Sequence, residues 1–562
     1  MTASDACAAK VPKDPVRISG SPCFLAMSGR QASGRRRGVR TVLLALVFLV
    51  LTGCAMVGPD FVKPKAPVLE QWQEADGVVL TRQPMEQIKW WDVFRDPVLS
   101  KLVEIACQDN YNLKIAGLRV LEARAQLGIA VGYLYPQYQQ ATGGATYTSA
   151  SRHAANTSAG DLRYWEYNVG ASVSWELDFW GKYRRAIESA DANLLASIAA
   201  YDNTLVLLAA QVADTYVVVR TAEEQLRVAR ENVTLQQRSL EITEARFRGG
   251  DVDELDVQQA RTQMLSTEAT IPGLQIGLQQ ALNALSTLLG WPPGRLTDIL
   301  GPQPGIIPAS PQEIAAGVPA DLLRRRPDVR QAELVAAAQS AAVGVAEADL
   351  YPSFGLSGFL GLVAADQTDS TRTGKSGFGQ LVQSDSLTFL GGPFFSWNLL
   401  NYGRIRNNVR VQDARLEQLL VNYQGTVLNA VKEVEDNMVS FMQSRQQGDI
   451  LARSVTSAQR SLELADVRYR EGYSDFQRVL DAQAALLQAQ RESVSTRSTT
   501  VRSAIGIYKA LGGGWDVRAG HDFVDQETKN VMQKRVNWGD LLGQEAVKPP
   551  LKGEGIWPSP DW

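Results

Sequence analysis

The stretch Trp175-Glu-Leu-Asp-Phe-Trp180-Gly181-Lys182-Tyr-Arg184 decides how this chain is built, because it returns 222 residues later as Trp397-Asn-Leu-Leu-Asn-Tyr402-Gly403-Arg404-Ile-Arg406. The same offset pairs Val212 with Val434, Asp214 with Asp436, Arg246-Phe247 with Arg468-Tyr469, Gly250 with Gly472, Val257 with Val479, and Leu289-Gly290 with Leu511-Gly512. Upstream, Tyr135-Pro136 matches Tyr351-Pro352 at an offset of 216, so the second copy carries six extra residues before its tryptophan. A self-match at fixed offset marks a duplicated unit. The 562 residues therefore read as two similar units of about 220 residues, not as a row of globular domains.

After each tryptophan motif the apolar residues keep a seven-residue beat. Ile198, Leu205, Val212, Val219, Leu226, Val233, Leu240 and Phe247 form one row; Leu420, Val427, Val434, Phe441, Gly448, Val455, Leu462 and Tyr469 form the other, interrupted only by Gly448. A sustained period of seven implies helices that supercoil on neighbours. At 1.5 Å per residue such a helix runs roughly 100 Å, deeper than any globular core. Gly250 and Gly472 supply the left-handed residue that stops it. A second helical pattern then returns to Gly290 or Gly512, so each unit is a helical hairpin, and Pro272 should kink the return limb of the first only.

Before the motif the period is two. Trp165, Tyr167, Val169, Ala171, Val173, Trp175 and Leu177 alternate with Glu166, Asn168, Gly170, Ser172, Ser174, Glu176 and Asp178, and Leu387, Phe389, Phe395, Trp397 and Leu399 do the same with Ser386, Thr388, Ser396 and Asn398. Residues 138–147 and 354–362 read as partner strands, giving two strands per unit, with polar loops at 148–162 and 363–386. One apolar, aromatic-rich face suits a membrane barrel or a sandwich. Four strands cannot close around a passage, since small barrels need about eight. Closure requires further copies of the chain.

Composition narrows the function. The chain is 45% hydrophobic, which excludes wholesale disorder, and it holds only 2 His and 4 Cys, which leaves little for general bases, metal sites or a disulfide scaffold. No phosphate-binding glycine loop, nucleophile elbow or metal-ligand spacing occurs, so an enzyme, a cofactor and a resident metal are not expected. Residues 1–53 carry eight Lys and Arg against two Asp, a net +6; with −3 overall, the rest of the chain carries −9, which argues against nucleic acid.

Those first residues read as a removable leader. Arg35, Arg36, Arg37 and Arg40 precede ten uninterrupted apolar residues at 42–51, too few to span a bilayer but suited to a signal-peptide core. Leu51-Thr52-Gly53-Cys54 follows and resembles the lipobox of bacterial lipoproteins, which implies cleavage before Cys54 and acylation of its thiol. Residues 27–53 alone have the length of an ordinary leader, so Met27 is an alternative start.

Leader, duplication, strand hairpins and long coiled hairpins together resemble the outer-membrane efflux factors related to TolC, in the NodT-type lipoprotein branch. The strings that carry the likeness are Trp90-Trp91-Asp-Val-Phe94-Arg-Asp96-Pro97-Val-Leu99, Val318-Pro319-Ala-Asp321-Leu322-Leu323-Arg324-Arg325-Arg326-Pro327-Asp328-Val-Arg330-Gln-Ala332-Glu333 and the two Tyr-Pro pairs. The resemblance implies a mainly α fold with a membrane β-barrel portion, whose long hairpins and four strands per chain assemble as a trimeric α-barrel and a twelve-stranded β-barrel. The expected organisation is a signal peptide at 1–53, a first efflux repeat at 54–300, a second at 301–512, and a tail at 513–562, in part disordered, rich in proline near its end. The implied function is the outer-membrane exit duct of a tripartite efflux system for drugs or other small solutes. Its partners would be a periplasmic adaptor (membrane fusion protein), an inner-membrane proton-driven pump and outer-membrane lipid. A protein-secretion outlet and a non-conducting, lipid-anchored coiled coil stay open beside it.

The resemblance also points to residues. Asp481 matches the family's pore aspartate at the periplasmic gate, and Arg478 stands where some members have a second one; Asp256 and Gln259 are the first-unit equivalents. The tips, with Arg246, Gly249 and Gly250 in the first unit and Arg468 and Gly472 in the second, are the expected adaptor contacts. Cys54 is the expected lipid attachment site.

Overall fold

A computed structural model describes residues 56–65, 72, 80–81, 89–153, 162–301, 305–315, 325–366, 377–518 and 521–543. The chain divides into two units, Met1–Cys54 and Ala55–Trp562, and the first lies outside the described residues, with the leader and Cys54. So do residues 318–324 of the arginine-rich string and the proline-rich end, 544–562. In chain order the elements are β1 (Leu80–Thr81), α1 (Pro97–Asp109), α2 (Tyr111–Gly132), β2 (Tyr138–Ser149), β3 (Arg163–Leu177), α3 (Lys182–Gly249), α4 (Glu254–Glu268), α5 (Thr270–Leu288), α6 (Thr297–Leu300), β4 (Ile314–Ala315), α7 (Pro327–Ala348), β5 (Ser353–Ala365), β6 (Leu387–Ser396), α8 (Arg404–Arg470), α9 (Gln477–Ala510) and α10 (Gln526–Arg535).

The duplication holds element by element. Helices α3 and α8 run 68 and 67 residues without a break. Glycines with positive φ bound them at equivalent places, Gly181 (74°) and Gly403 (79°) at the start, Gly250 (81°) and Gly472 (79°) at the end. Each end is a Schellman turn: Gly250 N–H donates to Phe247 O and Asp251 N–H to Arg246 O, as Gly472 N–H does to Tyr469 O and Tyr473 N–H to Arg468 O. Along the heptad rows Leu205, Val212, Val219, Leu226 and Leu240 are buried, as are Val427, Val434, Phe441, Leu462 and Tyr469. Phe247 departs from the expected row, with 43% of its surface exposed against 3% for its equivalent Tyr469. At that level α3 turns the face of Thr243 and Arg246 to the second hairpin, so residue 247 has nothing to pack on.

The strands form one antiparallel sheet in the order β2-β3-β5-β6. Register puts Trp165, Val169, Ala171, Leu362, Leu360, Phe389 and Phe395 on one face, because directly opposed residues share a face; the other face is mixed, with Thr142, Asn168, Ser172, Ser174 and Ser357 beside Tyr138, Phe359, Val363, Leu390 and Phe394. Strands β2 and β6 are bonded on one side only, so both edges of the sheet are open. The tryptophans join sheet to helices in the same way in both units. Trp175 Nε1 donates to Leu134 O at 3.1 Å and Trp397 Nε1 to Leu350 O at 3.0 Å, tying each strand to the end of the preceding helix.

The main core lies midway along the helices. The turn Trp90–Phe94 buries both tryptophans, and the Trp90 ring stacks on Tyr508 at 5.5 Å. Asp96 caps α1 by accepting from Val98 N at 2.9 Å and Leu99 N at 3.2 Å, and it takes the Tyr216 hydroxyl at 2.7 Å. Beside this core β1 pairs in parallel with β4. As far as residue 543 the tail is folded onto it: Phe523, Val524 and Met532 are buried there, and Arg518 bonds the buried carboxylate of Asp202 at 2.6 Å. Gly117 makes room for this strap, since a Cβ there would run into the Phe523 carbonyl oxygen.

Candidate functional site

Where the hairpins end, the two tips become one body. Tyr469 of α8 lies against α3: the Arg246 guanidinium sits 4.6 Å from its ring centroid and donates through Nη1 to its carbonyl oxygen. The Tyr469 ring is 5.1 Å from that of Phe476, and both join a small core with Leu240, Val257, Val479 and Leu486 drawn from both hairpins. The repeat is broken here by chemistry: the first-unit equivalents of Tyr469 and Phe476 are Phe247 and Glu254, neither of which builds such a contact. Arg246, half-buried, is thus engaged within the chain, whereas Arg468, Gly249, Gly250 and Gly472 are exposed. Around Gly250 and Gly472 no atom lies within 4 Å of an added Cβ, so only the positive φ asks for glycine.

Replacing Arg246 by Met keeps the stem and removes the cation and donor. The loss of roughly 1–2 kcal/mol should raise amide exchange in residues 468–476 by about tenfold. Unchanged exchange would show that the contact restrains nothing.

Above the tips the seam between α3 and α9 is a ladder of polar rungs. From the tip inward they are Ser239–Gln483 (2.7 Å), Asn232–Gln490 (2.7 Å), Glu224–Arg497 (2.9 Å), Thr221–Ser498 (2.7 Å) and Asp214–Arg502 (2.6 Å). The α8–α9 seam within the second hairpin is more apolar, with Val434, Phe441, Leu487, Val494 and Val501 in the main core, and its polar links include Ser440–Ser503 (2.8 Å) and Glu433–Lys509 (2.7 Å). Hydrogen-bonded rungs can exchange partners with water at little net cost, whereas apolar seams cannot.

Asp481 and Arg478 are exposed on the face of α9 opposite Val479 and Gln483, which are buried against the rest of the chain. Asp481 accepts from Gln477 Nε2 at 2.9 Å, one turn away. The first-unit equivalent Asp256 is half-buried, and its carboxyl is pushed above the ordinary range by burial, then by the neighbouring charges of Asp253 and Asp475, against a smaller opposing effect of Arg246. Carboxylates from both hairpins therefore gather at this end, with the Asp481 carboxylate the more open to solvent. Among the described residues no group of three His, Cys, Asp or Glu is placed to hold a metal.

The sequence profile described as "Outer membrane efflux protein" matches residues 102–291 and 318–513, one segment per repeat. The chain belongs to the outer membrane efflux protein family. It is 30% identical over 467 residues, 83% of this chain and 97% of the other, to the probable outer membrane lipoprotein SilC of Salmonella typhimurium. It is 32% identical to the pyoverdine export outer membrane protein OpmQ of Pseudomonas putida, over 77% of this chain and 89% of that one. The solved structure of the outer-membrane channel OprN superposes with a TM-score of 0.75 at 32% identity, covering 82% of this chain and 99% of OprN. As a family member the protein is an outer-membrane efflux channel protein and not an enzyme. Residues from 514 on lie beyond the family match, although Phe523, Val524 and Met532 among them pack into the main core.

Proposed function

We propose that three copies of the chain close into one duct that carries small solutes from the periplasm to the exterior. The carrying observation is the four-stranded sheet, one face apolar and aromatic-rich, the other mixing Asn168, Ser172, Ser174 and Ser357 with Phe359, Leu390 and Phe394, with an open edge at β2 and another at β6. Pairing β6 of each copy with β2 of the next removes every edge and gives twelve strands, with the uniformly apolar face outward and the mixed face inward. Helices of roughly 100 Å extend the passage into the periplasm, where the adaptor meets the tips and links them to the inner-membrane proton-driven pump. Downstream of the expected lipid attachment site, residues 57–60 are pinned to the start of α3. Val57 N–H donates to Trp180 O at 3.0 Å, and Arg185 holds Val57 O at 3.1 Å, Gly58 O at 3.2 Å and Asp60 Oδ1 at 2.7 Å. Detergent-extracted protein should have the mass of three chains and conduct in planar bilayers. Non-conducting protein would return the chain to the anchored coiled coil; passage of an unfolded polypeptide would favour the secretion outlet.

The gate is assigned to Asp481 with Arg478. Threefold symmetry sets three exposed carboxylates around the axis, a ring that favours cations. Asp481→Ala should lower cation selectivity and relieve block by multivalent cations, and Arg478→Ala should shift selectivity the opposite way. If neither variant moves the reversal potential, both residues belong to the solvated helix surface.

A further inference from the structure

The return limb of the first hairpin is broken where that of the second is continuous. Helix α4 stops at Glu268 and α5 starts at Thr270, while α9 runs 34 residues through the equivalent positions, Arg491 for Ala269 and Val494 for Pro272. Pro272 has no N–H to offer the Glu268 carbonyl, and its ring crowds that oxygen. The neighbouring polar groups turn to local substitutes: Thr270 Oγ1 donates to Thr267 O at 2.7 Å, and Arg491 Nη2 of the second hairpin donates to Thr270 Oγ1 at 2.9 Å.

At the level of the break, α3 buries two amides that the protein does not satisfy. Gln236 is 1% exposed with both Oε1 and Nε2 unpartnered, and Asn232, 3% exposed, uses its nitrogen on Gln490 and Val228 but leaves Oδ1 unpartnered. The Glu244–Arg261 ion pair fixes the register of the hairpin, and eight residues further along each limb Gln236 comes level with Ala269. Asn232 is one turn farther on, beside Gln490, whose neighbour Arg491 bonds Thr270. An open-sided cavity of about 290 Å³ lined by Gln225, Thr270, Gly273, Leu274 and Arg491 adjoins the same turn.

We propose that residues 265–274 are a hydrated hinge, with ordered water held between Asn232, Gln236 and the broken turn. Three unpaired polar atoms within one turn of α3 supply the two to four partners that a buried water needs, and water inserted beside a helix break lets the limb bend there. Above the core that the two tips share, the return limb of the first hairpin can then bend against α3 while the continuous α9 stays straight. The hinge is a property of the chain and does not depend on its conducting.

Hydrogen exchange on the full-length solubilised protein tests it. Amides in 265–274 should exchange at least about tenfold faster than those in 256–262 and 278–286, and Pro272→Ala should remove the difference. Gln236→Met, which deletes the unsatisfied amide at similar volume, should raise the melting temperature and slow exchange across the turn. Equal protection in the parent protein, fast exchange that survives Pro272→Ala, or a lowered melting temperature in Gln236→Met would each overturn the hinge. A high-resolution crystal structure with the Gln236 amide bonded to protein groups, and no water beside it, would do so as well.

Discussion

Leu360→Arg should abolish stable insertion of the protein in the outer membrane. Leu360 lies at the middle of β5 on the apolar face, opposite Ala171 and Phe389, and is 54% exposed within one chain. An arginine at the bilayer midplane of a membrane barrel costs about 2–4 kcal/mol, and in a threefold barrel the cost recurs in every copy. Asn168→Arg, on the polar face of β3, should leave insertion close to that of the parent protein. The pair is read from membrane-fraction yield and from the fraction of protein extracted as an assembled barrel. Equal yields would mean that the apolar face is covered by protein and that the sheet is half of a sandwich.

Arg326→Ala is the second large expected effect. The residue is 9% exposed, and its guanidinium holds three partners: Asp328 Oδ2 at 2.7 Å, Glu433 Oε2 at 2.9 Å and the Ala510 carbonyl at 2.7 Å. Lys509 meets the other oxygen of Glu433 at 2.7 Å. Removing Arg326 leaves two half-buried carboxylates with fewer partners, Glu433 keeping only Lys509, and strips the Ala510 carbonyl of this donor, which costs about 1–3 kcal/mol. The acid limb of the stability curve should change with it. Burial alone would raise the Glu433 carboxyl, but its bonds to Lys509 and Arg326 outweigh burial and hold it below the ordinary 4.5. A depressed carboxyl contributes stability that is present above its unfolded value and lost as pH falls through the folded value. With Arg326 gone the depression shrinks, and the variant should lose less than the parent protein between pH 5 and pH 3 while being weaker at pH 7. Chemical denaturation across that range measures both; a parallel acid limb would show that Glu433 is held by Lys509 alone.

Much of the architecture could be read before any coordinates. Glycine at 181, 250 and 290 and again 222 residues later marks turns that need positive φ, and all six adopt it. Such stops depend on one residue's own sterics and so survive transfer from sequence to structure. Strand faces were legible for a similar reason, since alternation belongs to the pleat itself. The site was legible only in outline. The tip residues were placed by the duplication, but that Arg246 turns inward while Arg468 stays outside follows from Tyr469 having a partner on α3 that Phe247 lacks on α8. The one available signal was the break in repeat identity at 247/469 and 254/476, where phenylalanine meets tyrosine and glutamate meets phenylalanine.

The same division runs through the whole molecule. By itself the sequence determined the duplication, the length of the helices, their stopping points, the apolar sheet face and the kink at Pro272, all set by periodicity or by the backbone preferences of single residues. Only the tertiary structure decided that the tips share a core, that the α3–α9 seam is polar, that Asn232 and Gln236 are buried without partners, and that the tail packs on α2 and α3. Those features come from contacts between residues hundreds of positions apart. Two copies of one unit present nearly the same local pattern, and which copy's side chain fills a given space is settled by packing between them.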